Sequence, residues 1–152
     1  MKLLRWLDVP PVWMAGFAVL VWLQGHWNGP LDSGPGRWAM LPGWLLIGAG
    51  VGLAALAARE LSRHRTTIIP HQTPGALVQS GIFGWTRNPI YLGDCLVLAG
   101  LAFLFHALLA LPLVLVFGLL ISRRFIRWEE ARLIATFGPE AEAYMTRVRR
   151  WL

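Results

Sequence analysis

Residues 87–94 read R-N-P-I-Y-L-G-D and stand where a polar stretch gives way to a long apolar run. Asn88 followed by Pro89 is a helix start, because Asn suits the N-cap and Pro the first helical position. The first N–H groups of such a helix have no internal partner and carry the positive end of its dipole. A carboxylate or phosphate is stabilised there, and Arg87 adds a full charge. Tyr91, about one turn in, offers an aromatic face to stack on a ring or hold a cation, and a hydroxyl to orient it. Asp94 falls three residues after Tyr91 and seven after Arg87, on the same helical stripe. It is an acid inside an otherwise uncharged run, which makes it a functional candidate by default. Glu129 and Glu130, flanked by Arg127 and Arg132, form a second cluster that could bind an amine or a ribose hydroxyl pair if it met the Arg87 region. Adjacent residues on a helix point about 100° apart, so one Glu can face the bundle while the other faces water.

Each of these residues also has a plainer use. Arg87 could snorkel to lipid headgroups, Asn88 only cap, and Tyr91 belong to an interfacial aromatic belt. The Glu pair could be an exposed ion-pair face, and Asp94 could be wetted and paired with an Arg. Other chemistries are excluded more firmly. The four His, at 26, 64, 71 and 106, include no helical i, i+4 pair, and Cys95 is the only Cys, so neither a metal site nor a disulfide framework is supported. No glycine-rich strand-to-helix loop is present, which removes the soluble nucleotide-binding folds.

The elements that must position these residues are those of a membrane protein. Of 152 residues, 56% are hydrophobic and only 14% charged, against roughly 25% charged in a soluble domain. The formal net charge of +6 comes with cations that are almost all Arg and flank apolar runs. That is a juxtamembrane pattern, not the basic stripe of a nucleic-acid binder. The fold class expected is an all-α integral membrane protein with one domain over residues 1–152 and four spans, at about 10–24, 41–58, 89–105 and 109–127. The first apolar stretch, Val9 to Leu23, has the look of a secretory core segment, yet QGHWNGP follows it with no small-x-small site, so a retained helix is expected. Gly48, Gly50 and Gly52 in the second run mark a packing seam. Residues 59–88 form the longest polar connection, a length more often functional than idle.

Pro89 to Ile121 is continuous and apolar. As one straight helix it would reach roughly 50 Å, beyond the ~30 Å hydrocarbon core. It must fold back as a tight hairpin with its apex near Phe105 to Leu109. The second arm then runs on into water until Phe137, Gly138 and Pro139 stop it. The tail, 128–152, ends in a short amphipathic piece with Tyr144, Val148 and Trp151 on one side, expected at the membrane interface. Lys2 and Arg5, the Arg of the 59–88 loop, and seven Arg from Arg123 onward oppose one, Arg37, in the first loop. Both termini and the long loop are therefore expected in the cytoplasm, and short Arg-rich termini suit a prokaryotic plasma membrane.

In their order, these pieces resemble the membrane methyltransferase family that includes isoprenylcysteine carboxyl methyltransferase and phospholipid N-methyltransferases. The resemblance runs from about Thr66 to Leu152. It comprises Thr66, Thr67 and Pro70, Leu77 and Val78 before Gly81, R-N-P-x-Y-x-G at Arg87 to Gly93, the apolar hairpin, E-E-x-x-L at Glu129 to Leu133, Phe137 and Gly138, Tyr144, and Arg149-Arg150-Trp151. It implies S-adenosylmethionine as cofactor, with S-adenosylhomocysteine as product, bound by Arg87, Asn88, Pro89, Tyr91, Glu129 and Glu130. Arg87, Glu130 and Asp94 are the catalytic candidates. The acceptor implied is a lipid or small molecule: an isoprenylcysteine-like carboxylate, a phospholipid amine or a thiol. Two positions depart from the pattern, Gly84 where relatives often have Arg and Ala141 where they often have Tyr. Two other readings stand beside this one. A membrane reductase would need nicotinamide motifs that the chain lacks, and a helical scaffold binding anionic lipid explains the charges but not the ordered motifs.

Overall fold

The structure, a computed structural model, describes residues 8–27, 37–66 and 75–152. Lys2, Arg5, Thr67, Pro70 and His71 lie outside the described residues. The described residues are helical and include no strand. Helix α1 is Pro10–Trp27, α2 is Met40–Arg63, α3 is Pro89–Leu104 and α4 is Leu111–Ile121. A π-helical turn, Ser122–Ile126, joins α4 to α5, Arg127–Phe137, and α6 is Pro139–Arg147.

Two helices are long and apolar enough to cross a membrane, over Arg37–Arg63 and Leu108–Phe137. Only 17% and 33% of their most apolar windows are buried, whereas a soluble core helix buries most of its length. Leu41, Leu45, Val51, Leu115 and Leu119 are all more than half exposed, a solvent that suits them being lipid. The other two expected spans fall short of that standard. Helix α3 has 16 residues, a reach of about 24 Å, and α1 begins Pro-Pro and closes on Gln24, Gly25 and His26.

The hairpin turns where its length requires. Helix α3 ends at Leu104, His106 takes a left-handed φ of 55°, and a short 3-10 turn, Leu108–Ala110, leads into α4. Pro112 occupies the first turn of α4, where a missing N–H costs least. Val21 of α1 packs on Ala102, Ala107 and Ala110 at this apex. Lower in the bundle Phe17 meets Phe117 edge to face at 5.3 Å, within a cluster that includes Tyr91, Leu98, Ile121, Phe125 and Ile126.

Helices α2 and α3 form the most extensive interface, and glycine makes it. Gly50 lies against the backbone of Gly93, and Gly43 against that of Gly100, which fixes the pair as antiparallel. Of the three glycines expected on the seam only Gly50 is on it; Gly48 and Gly52 have nothing within 4 Å. The seam repeats every seven residues, through Gly43, Gly50 and Ala57, the buried positions of α2. Helix α2 also runs five residues past the expected boundary, to Arg63, because Glu60 and Arg63 pair across a turn at 3.6 Å and can be solvated there.

Antiparallel packing sorts the ends of the helices. The end of α1, the start of α2 and the hairpin apex share one end of the bundle. The start of α1, the end of α2, the start of α3, α5 and the tail share the other.

Candidate functional site

At that second end lies a cavity of about 630 Å³, a common size for a small-molecule site. Its wall includes Arg87, Asn88, Pro89, Tyr91, Asp94, Glu129 and Glu130, so every candidate residue read from the sequence borders one space. The remaining wall is largely apolar: Pro10, Pro11 and Met14 of α1, Leu61 of α2, Leu77, Val78 and Phe83 of the loop, and Leu133 of α5.

Helix α3 starts at Asn88 with Pro89 in its first turn, but Asn88 makes no side-chain cap. The capping role expected for it is replaced by another. Its Nδ2 donates to the Arg150 carbonyl at 2.9 Å, and the Thr86 hydroxyl donates to that same oxygen at 3.3 Å. The Arg87 N–H donates to the Arg149 carbonyl at 3.0 Å. Three hydrogen bonds thus hold the chain end against residues 86–88. The Asn88 backbone N–H donates to Thr86 Oγ1 at 3.2 Å. The first helical N–H to bond back is that of Leu92, to Asn88 O at 3.0 Å, which leaves the positive end of α3 at the cavity.

Glu130 accepts from Arg87 Nη1 at 3.1 Å and from Arg150 Nε at 3.0 Å, with a second contact from Arg150 Nη2. Glu129 accepts from Tyr91 Oη at 2.7 Å. Both acids therefore face α3, although adjacent helical residues point about 100° apart. The π turn is the reason, since the extra residue it inserts re-phases the helix beyond it. Arg87 and Glu130 are each 14% exposed, enough burial to make the pair more than a surface ion pair. Arg87 Nε is buried and has no hydrogen-bond partner among the described residues. Asp94 lies one turn deeper along α3.

The loop over the cavity is tied to the tail. Tyr144 Oη donates to the Phe83 carbonyl at 2.8 Å; burial pushes this hydroxyl up to about 12, with Arg87 and Arg147 pulling the other way. Gln79 donates to Glu140 at 2.8 Å and accepts from Arg147 at 2.7 Å. Tyr144 and Val148 are buried and Trp151 packs on the core, so the apolar side of the tail is used by the protein itself. Ala141 is fully buried. Further back, Ser80 donates to Glu60 at 2.5 Å and contacts His64 Nε2 at 3.0 Å, anchoring the loop to α2. No group of three or more His, Cys, Asp or Glu that could hold a metal occurs among the described residues.

Sequence reasoning missed the α1 wall and the two chain-end carbonyls. Pro10, Pro11 and Met14 carry no chemistry to flag them. A backbone oxygen has no sequence signature at all.

Comparison with curated proteins and with solved structures gives no match. Residues 38–140 match the phospholipid methyltransferase family, a match that begins a whole helix earlier than the resemblance read from Thr66 onward. It takes in the α2–α3 seam, the R-N-P-x-Y-x-G string, the hairpin and the Glu pair. With well over half of its length matched, the chain belongs to the phospholipid methyltransferase family.

Proposed function

We propose that this chain is an integral membrane methyltransferase that uses S-adenosylmethionine and acts on a lipophilic acceptor. In this reading it has four spans, and the cavity end, with both termini, faces the cytoplasm. The observation that carries the reading is the convergence of Arg87, Tyr91, Asp94, Glu129 and Glu130 on one cavity whose remaining wall is largely apolar.

The donor set fits the cofactor. Arg87 retains a buried Nε without a partner, and the start of α3 is electropositive, which suits a carboxylate. Glu129 and Glu130 supply acceptors for an amino group or ribose hydroxyls, and the Tyr91 ring suits a sulfonium. When bound, the cofactor supplies an electrophilic methyl group. The protein's part is then position and exclusion of water. Tyr91 is fixed by Glu129, Arg87 by Glu130, and Glu130 by Arg150, so the polar groups are oriented before anything binds. The wall formed by Pro10, Met14 and Leu133 receives the apolar part of the acceptor.

The test is calorimetric titration of detergent-purified protein with S-adenosylmethionine and with S-adenosylhomocysteine. Saturable one-to-one binding is expected, weakened about ten- to a hundredfold in Arg87→Ala, the worth of a charge-assisted hydrogen bond. A folded, lipid-supplemented sample that binds neither compound, or that binds NADPH instead, would overturn the reading.

A further inference from the structure

Two arginines share Glu130, and they share it unequally. Arg150 lies along both carboxylate oxygens, donating from Nε to Oε1 at 3.0 Å and from Nη2 to Oε2. That two-pronged arrangement is the one in which an arginine and a carboxylate pair best. Arg87 reaches only Oε1, through Nη1 at 3.1 Å, and its buried Nε has no hydrogen-bond partner among the described residues. Arg87 and Glu130 border the cavity, whereas Arg150 does not. Arg150 stands behind Glu130 and acts on the cavity through it.

The backbone holds Arg150 in place independently of its side chain. Its carbonyl accepts from Asn88 and Thr86, the Arg149 carbonyl accepts from the Arg87 N–H, Val148 is buried and Trp151 packs on the core. A chain end fixed at these points aims one guanidinium at α5. The consequence is a division of charge. One carboxylate serves two cations, so the cluster keeps one net positive charge, and the geometry leaves that charge on Arg87, at the cavity. Without the Arg150 side chain, Glu130 could turn both oxygens to Arg87 and take its Nε and Nη2 together, as it now takes those of Arg150. Arg87 would then be fully paired, and a carboxylate arriving from the cavity would compete with Glu130 for the same edge.

We infer that Arg150 is a positioning residue for the cofactor's carboxylate: by occupying Glu130 it keeps the Nε edge of Arg87 open to the ligand. This rests on the S-adenosylmethionine reading, and within that reading it gives a task to a side chain that does not meet the cofactor. The chain end thus serves the site twice, its backbone holding residues 86–88 and its guanidinium holding Glu130 away from the open edge of Arg87.

The experiment titrates detergent-purified protein with S-adenosylhomocysteine and with its decarboxylated analogue, S-adenosyl-3-thiopropylamine, which keeps the sulfur and the amine. The ratio of the two affinities reads the carboxylate contact alone. Arg150→Ala, which leaves every backbone carbonyl in place, should weaken S-adenosylhomocysteine about tenfold, the worth of one charge-assisted hydrogen bond, and leave the analogue within about twofold. Arg150→Lys keeps a charge but not the fork and should fall between Arg150→Ala and the unmodified protein. Adding Glu130→Gln to Arg150→Ala removes the competing charge and should return most of the lost preference for the carboxylate. A chain end that only held the fold together would give a double variant no better than the single one. Equal loss of both ligands in Arg150→Ala, no loss of either, or a double variant without recovery would overturn the proposal. Should Arg150→Ala not fold, an Arg150→Lys variant with an unchanged ratio would overturn it as well. Absence of S-adenosylhomocysteine binding by the unmodified protein would overturn the cofactor assignment and this proposal with it, whereas binding with the same ratio in every variant overturns this proposal alone.

Discussion

Replacing Gly50 with Ala should loosen the bundle and displace the site, while the same change two residues away on either side should not. A Cβ at position 50 would lie 2.5 Å from the Gly93 carbonyl oxygen and 2.9 Å from Val97 Cγ2. Ordinary contact begins at 3.4 Å, so α2 and α3 would have to part by about 0.9 Å, with backbone on the far side and no rotamer to give way. Overpacking of this kind costs about 1–3 kcal/mol, and the rigid neighbour puts it at the upper end. The better helix propensity of Ala returns about 1 kcal/mol, for a net loss of about 2 kcal/mol. At about 2–4 °C per kcal/mol for a chain of this size, the melting temperature should fall about 4–8 °C. Gly48→Ala and Gly52→Ala meet open space and should raise it by a degree or more through the propensity gain alone. Thermal unfolding of the three variants in one detergent, followed by circular dichroism, makes the comparison. Because α3 carries Tyr91 and Asp94 and begins directly after Arg87 and Asn88, only Gly50→Ala should also weaken S-adenosylhomocysteine binding. Loss of stability in Gly48→Ala equal to that in Gly50→Ala would refute the seam, and so would a neutral Gly50→Ala.

Tyr91→Phe keeps the aromatic face but loses the 2.7 Å bond to Glu129, so S-adenosylmethionine affinity should drop only a few-fold, whereas Tyr91→Leu should abolish it; equal titration curves for the two variants would deny the ring a role. Removing residues 149–152 deletes the carbonyls that hold residues 86–88, and hydrogen exchange of Trp85 to Asn88 should accelerate at least tenfold, about 1.4 kcal/mol of lost protection. The hydrogen bond from Ser80, with Arg63 and His64 beside it, holds the Glu60 carboxyl below its ordinary value. A depressed carboxyl stabilises the fold above the free Glu value of about 4.3 and stops doing so as the pH falls through the lowered value. Exchange of the loop from Gly75 to Gly84 should thus quicken on acidification, and Glu60→Gln should remove that dependence.

Much of this was legible in the residues themselves. The hairpin apex followed from the length of an uncharged run, and the helix stop at Phe137 to Pro139 from local chemistry. The convergence of the Arg87 string with the Glu pair followed from the order of polar and apolar segments, since one hairpin separates them. The hidden features depended on tertiary geometry. Three glycines spaced two apart look like one seam, yet on a helix they point about 200° from one another in succession, and only the one facing Gly93 packs. Asn88 reads as a cap because Asn before Pro usually is one; here a chain end more than sixty residues away offers its carbonyl instead. The amphipathic tail reads as interfacial because its apolar side could be covered by lipid or by protein, and periodicity does not distinguish the two.

The Glu pair shows how one local irregularity sets the whole site. Two adjacent helical side chains diverge by about 100°, so both can serve one cavity only when their bisector points at it, each about 50° to one side. An uninterrupted helix from Leu111 onward would fix that direction by the phase of the apolar face that buries Phe117 and Ile121. The π turn at Ser122–Ile126 adds one residue and rotates α5 by about 100°, while Ser122, Phe125 and Ile126 stay buried. Asp8 holds this turn from outside: Arg124 Nε and Nη2 donate to its carboxylate at 2.6 and 2.7 Å, and the Asp8 carboxylate also accepts from Trp13 at 3.1 Å. The start of α1 is thereby tied to the turn that aims Glu129 at Tyr91 and Glu130 at Arg87. The first helix, which holds none of the charged groups of the cavity, belongs to the site as its wall and as the fixed point for that turn.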